Sequence, residues 1–122
     1  MKPFDSVLLY VDSPRRSAEL YQKLFGGHLP ELSDNFALLI PPSGTPLAFW
    51  ARHDVNPSPP AGAEGMELMV HLDSDAAVDQ TLAEAQALGC RVLQPAVALD
   101  FGYTWLVTTP DGHRIRAFCP PA

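Results

Sequence analysis

The residues able to do chemistry are few and scattered. Four histidines (His28, His53, His71, His113) and two cysteines (Cys90, Cys119) occur in 122 residues. The cysteines match no metal-ligand or redox spacing, which points to two reduced thiols without a chemical role and excludes a zinc site built from thiolates. No Ser-His-Asp or Cys-His nucleophile arrangement can be defined. His28 and His113 fall at loop or strand ends and His53 opens a Pro-rich segment. Only His71 lies within a strand-like run, where a histidine is either a ligand or a hydrogen-bonded structural residue. More distinctive are the large aromatics on strand-like stretches, Tyr10, Trp50, Tyr103, Trp105 and Phe118. Such rings stack on planar organic molecules and bury apolar area, and they serve equally well as core.

The elements that must carry these residues are read from periodicity and turn chemistry. Residues 7–11 form an apolar, β-rich run ending at Asp12-Ser13-Pro14, where Ser13 suits a helix N-cap and Pro14 the first helical position. Ser17, Leu20, Tyr21, Leu24 and Phe25 then give one apolar stripe at helical spacing, closed by Gly26-Gly27. Strands follow at 28–32, 36–40 and 47–52, the last two joined by a Pro/Gly turn. Residues 53–65, with Pro57, Pro59, Pro60, Gly62 and Gly65, read as a linker. The order then repeats. A strand at 66–72 leads to a helix capped by Asp73 or Ser74, with Val78, Leu82, Ala85 and Leu88 inward and Gly89 at its end. Strands are predicted at 91–94, 103–108 and 114–119, with a loop containing Asp100-Phe101-Gly102 and a Pro110-Asp111-Gly112 turn. Aligning Gly44 with Gly112 sets Ala48 against Arg116 and Trp50 against Phe118, so the fold is built twice.

Composition bounds the rest. With 47% hydrophobic and 18% charged residues, the chain has enough apolar material for one domain over 1–122, made of modules at about 4–52 and 66–119. The first residues, Met1-Lys2-Pro3-Phe4-Asp5, lack the apolar run of a signal peptide, and no stretch approaches the roughly 18 apolar residues of a membrane span. A soluble, cytoplasmic protein without a membrane partner is expected. The net charge of −6, with basic residues scattered, argues against nucleic acid.

Laid out this way, the chain resembles the vicinal oxygen chelate superfamily, the glyoxalase/bleomycin-resistance/extradiol-dioxygenase fold. The likeness rests on Leu9-Tyr10-Val11 leading to a helix ending Leu20-Tyr21-Gln22-Lys23-Leu24-Phe25-Gly26. It rests equally on Val70-His71-Leu72-Asp73-Ser74 before a helix closed by Leu88-Gly89, and on Pro110-Asp111-Gly112-His113-Arg114-Ile115. It implies an α+β fold of two tandem βαβββ modules whose mixed sheets curl into half-barrels, with a cavity between modules and a homodimer. Metal-dependent relatives place His or Glu ligands on the first and fourth strand of each module. Those positions here are Ser6, Ala48, Glu67 and Arg116, of which only Glu67 could bind a metal, and a guanidinium repels one. No metal or cofactor is therefore expected. Because the positions converge in relatives, Glu67 and Arg116 should form an ion pair.

Strand alternation supports this phase. Ser6, Leu8 and Tyr10 facing inward leave Val7, Leu9 and Val11 for the helices, and Glu67, Met69 and His71 leave Leu68, Val70 and Leu72. The expected ligand-binding residues are Tyr10, Ala48, Trp50 and Arg52 from the first module and Glu67, Met69, Arg116 and Phe118 from the second. Phe101 joins them from a cavity lip or an ordinary loop, and Tyr103 and Trp105 do so if they share the inward face. The expected function is metal-independent binding of an aromatic or amphipathic small molecule, resembling the drug-sequestering antibiotic-resistance proteins of this fold. The alternative is a glyoxalase- or dioxygenase-type enzyme, a lyase or isomerase, with displaced ligands or with Glu67 as base.

Overall fold

The computed structural model describes residues 1–59 and 66–122. The chain divides into two compact units, residues 1–60 and 61–122, each taken by itself below. Unit one runs β1 (Val7–Val11), α1 (Pro14–Phe25), β2 (His28–Leu32), β3 (Phe36–Ile40), β4 (Leu47–Ala51). Unit two runs β5 (Glu67–His71), α2 (Asp75–Ala87), β6 (Arg91–Leu99), β7 (Gly102–Thr108), β8 (Arg114–Cys119). Each is a βαβββ module with an open, four-stranded mixed sheet, ordered β1-β4-β3-β2 and β5-β8-β7-β6. Among the described residues, no helix is long and apolar enough to cross a membrane.

Local chemistry explains the helices. Ser13 is extended and its hydroxyl accepts from Arg16 N at 3.3 Å, with Pro14 opening α1 where no N–H is needed. Ser74 caps α2 in the same way, accepting from Ala77 N at 3.1 Å, and Asp75 in the first turn complements the helix dipole. Each helix covers one face of its own sheet. Tyr21 of α1 meets Phe49 edge to face, with ring centroids 5.1 Å apart. On the same side Leu9, Val11, Ala37, Leu39 and Ala51 are buried. Under α2 lie Val107, Ile115 and Ala117, packed with Val78. Burial of this kind contributes about 1.5–3 kcal/mol per large apolar side chain.

The register confirms the internal repeat. Leu8 pairs with Ala48 and Met69 with Arg116 across the parallel strands, while Phe36 opposes Trp50 and Thr104 opposes Phe118 in the hairpins. Those pairs match the Gly44–Gly112 alignment. The bounds of β4, β5, β6 and β7 differ from the sequence reading. β4 stops at Ala51, and Arg52–Asp54 forms a single 3-10 turn, so strand phase does not place Arg52. Residues 60–65 of the linker lie outside the described residues.

The largest difference is β6, which runs nine residues through Pro95 to Leu99 and leaves only Asp100 and Phe101 before β7. Pro95 is tolerated because β6 is an edge strand whose register shifts on either side of Gln94. Gly102 starts β7 at φ +143°, and a Cβ there would collide with the Cys119 carbonyl oxygen. Gly102→Ala is therefore expected to lower stability by about 2 kcal/mol or more in urea unfolding. An unchanged midpoint would contradict this close approach.

Candidate functional site

The face of each sheet turned away from its helix carries most of the predicted residues. In unit one, Tyr10, Trp50 and Phe36 form one cross-strand row and Leu8, Ala48 and Leu38 the next. Neighbouring strands lie about 4.7–4.9 Å apart, so the first row sets three rings side by side. Tyr10 is 36% exposed. Phe36 was not foreseen, though counting back across the β3–β4 hairpin from Trp50 would have found it.

In unit two the rows are Met69–Arg116–Leu106–Gln94 and His71–Phe118–Thr104–Val97. At the centre, Arg116 Nε donates to Glu67 Oε1 at 2.7 Å and Nη2 donates to Oε2 at 3.2 Å, which is the expected ion pair in bidentate form. Nη1 donates to Gln94 Oε1 at 3.0 Å and to Thr104 Oγ1 at 3.3 Å. The side chains of Arg116 and Glu67 are 12% and 28% exposed. The Arg116 hydrogen bond and charge hold the Glu67 carboxyl below its ordinary range, against an opposing effect of burial, with Arg114 adding a smaller pull. Gln94 and Thr104 were not foreseen. The β7–β8 turn would have placed Thr104 opposite Phe118, but nothing in the sequence marks the bulge that presents Gln94.

Aromatic side chains border this polar centre. Arg116 Cζ lies over the Phe101 ring, 5.7 Å from its centroid. Phe101 meets Phe118 edge to face at 6.1 Å, and His71 stacks on Phe118 at 5.3 Å. Met69 is exposed beside them. Phe101 thus reaches this face from the tight β6–β7 turn.

Tyr103 and Trp105 do not share the face. Trp105 is 4% exposed and its Nε1 donates to Val78 O at 2.8 Å and Thr81 Oγ1 at 3.2 Å, both on α2. The Tyr103 hydroxyl donates to Asp79 of α2 at 2.7 Å, and that bond raises its pKa. Both rings are helix-side because β7 alternates about the Thr104–Phe118 pair. Burial likewise pushes up the Cys90 thiol, which stays protonated at neutral pH. A separate groove of about 220 Å³, lined by Gly89, Arg91, Thr108, Thr109, Pro110 and Gly112, lies toward the turns and carries no aromatic wall.

The four positions at which the resemblance expects metal ligands do not fit a metal. Ala48 has no donor atom, and both oxygens of Glu67 are bound by the guanidinium at the fourth position. Among the described residues, no group of three or more His, Cys, Asp or Glu could hold a metal ion.

The pairing sets a pH dependence. Glu67→Gln is expected to cost about 2 kcal/mol at neutral pH through the lost charge-assisted bonds. Wild-type Glu67 titrates below its ordinary 4.5 when folded, so its stabilising effect is complete above that value and disappears as pH falls through the lower folded value. Urea midpoints of both proteins from neutral to strongly acidic pH should therefore converge. A gap that stays constant would contradict the ion pair.

Comparison with known proteins agrees with this architecture. The sequence model of the Glyoxalase/Bleomycin resistance protein/Dioxygenase superfamily matches residues 4–117. A protein from Agrobacterium tumefaciens, solved by solution NMR, is 36% identical over 100% of both chains with a TM-score of 0.90. A glyoxalase-related enzyme from Fulvimarina pelagi is 22% identical, over 99% of this chain and 90% of that one, with a TM-score of 0.85. A glyoxalase/bleomycin resistance protein/dioxygenase family enzyme from Burkholderia phytofirmans is 18% identical, over 96% and 98%, with a TM-score of 0.83. Likeness at the last two levels shows the fold alone. A search of curated proteins gives no significant match. Two βαβββ modules of shared topology, matched by the family's sequence model along nearly the whole chain, place this protein in the Glyoxalase/Bleomycin resistance protein/Dioxygenase superfamily.

Proposed function

We propose that this chain is a metal-independent binding protein that sequesters a planar aromatic or amphipathic small molecule, acting as a homodimer. The observation that carries the reading is that Glu67 is closed onto an internal guanidinium while rings remain partly exposed on the same face. Sequestration needs apolar area and stacking surfaces, which Phe101 and Phe118 offer in unit two and Tyr10 and Trp50 in unit one. The enzymatic alternative needs Glu67 as a free base with a pKa near the working pH. Arg116 pulls that pKa the other way and engages both carboxylate oxygens.

The test is a thermal-shift screen of planar aromatic compounds, followed by calorimetry on any hit. A ligand at a hundred times its Kd stabilises the fold by about 2.7 kcal/mol. Binding should survive exhaustive dialysis against EDTA, and Trp50→Ala should weaken it about tenfold or more, the loss of one stacked ring. Binding that disappears with chelation and returns with added transition metal would overturn the reading in favour of a metal-dependent enzyme. Light scattering during size-exclusion chromatography should give twice the chain mass.

A further inference from the structure

Each of the four strands of unit two contributes one side chain to the polar centre: Glu67 from β5, Gln94 from β6, Thr104 from β7 and Arg116 from β8. Three details show that the acceptors are aimed. Val92 opposes Val107, so an unbroken ladder would bring Leu93 opposite Leu106, yet Gln94 stands there because β6 bulges. The Gln94 amide must present its oxygen, since a guanidinium only donates. Thr104 Oγ1 sends its one proton to Ala117 O at 2.7 Å, which leaves its lone pairs for Arg116.

The guanidinium makes two bonds to Glu67 and one each to Gln94 and Thr104, using four of the five N–H donors that arginine has. All N–H bonds lie in the plane of the cation, so these oxygens ring its rim, and Phe101 supplies an aromatic face. A hard divalent ion would instead need six or more oxygens at about 2.0–2.6 Å. One carboxylate, one amide and one hydroxyl spaced around a planar cation do not provide that.

We propose that Glu67, Gln94, Thr104 and Phe101 form a receptor for a planar guanidinium-type cation, with Arg116 as its tethered occupant. With the tether removed, the receptor takes up a free guanidinium or amidinium ion from solution. This goes beyond the binding function above and does not depend on it, because the aromatic ligand is assayed on the intact protein.

The experiment uses Arg116→Gly and methylguanidinium chloride at low millimolar concentration, far below denaturing levels. Methylammonium chloride at equal ionic strength and manganese(II) chloride are the controls. The variant should melt below wild type and regain about 3 °C or more with methylguanidinium alone. Wild type should not respond, and Glu67→Gln/Arg116→Gly should lose the response. An equal gain with methylammonium, or a larger one with manganese, overturns the proposal by showing a site for charge or for a metal rather than for shape.

Should Arg116→Gly fail to fold, wild type supplies the reading by NMR. Its Arg116 Nε–H should exchange with water at least tenfold more slowly than those of the exposed Arg91 and Arg114, as expected for a donor held by a carboxylate. Equal rates overturn the proposal as well.

Discussion

A charged arginine whose side chain is 12% exposed is stable only where its lost hydration is replaced, since taking an ion out of water costs several kcal/mol even after relaxation. Much of unit two follows from that requirement. Glu67 supplies the opposite charge from β5, Thr104 is oriented by the Ala117 carbonyl, and the bulge in β6 brings an amide oxygen where a leucine would otherwise stand. The tight β6–β7 turn, permitted by Gly102 against the Cys119 carbonyl, delivers Phe101 over the cation. The arrangement is a network, in which one missing acceptor would leave a charge partly unsatisfied.

The two modules share one topology but differ at equivalent positions. The register sets Ala48 with Arg116, Trp50 with Phe118, and Phe36 with Thr104. Where unit two has a charged pair bordered by rings at the centre of this face, unit one has rings and aliphatics at the centre, with Glu31 opposite Leu38 on its edge strand. Repetition of a stable scaffold preserves the helix-side packing, which the fold needs. The other face is free to vary, and one fold can carry many functions through the sites grafted on it. The proposed recognition by apolar contact draws on the partly exposed rings of this face, with Glu67 already paired to Arg116.

Much of this was legible in the amino-acid order. Ser13-Pro14 and Ser74 mark helix starts because their hydroxyls can satisfy orphan N–H groups, and Gly26 and Gly89 mark ends because they reach positive φ without a Cβ. Strands β1, β4, β5 and β8 disclosed their facing residues because one side packs on a helix. The alternation is therefore written in residue type, and from it came the placing of Tyr10, Trp50, Glu67 and Arg116 on the face away from the helix.

Sequence therefore determined the order of elements, the caps and the duplication, which depend on local spacing or on one repeated pattern, while the Glu67–Arg116 pair was expected from the family resemblance. Tertiary structure decided the rest. β7 is buried along both faces, so composition carries no phase there, and pairing with β8 alone sends Tyr103 and Trp105 to α2 and Thr104 to Arg116. Gln94 and the extension of β6 past Pro95 were settled across strands as well. A bulge is a mismatch between two partners, and neither partner's sequence encodes it alone.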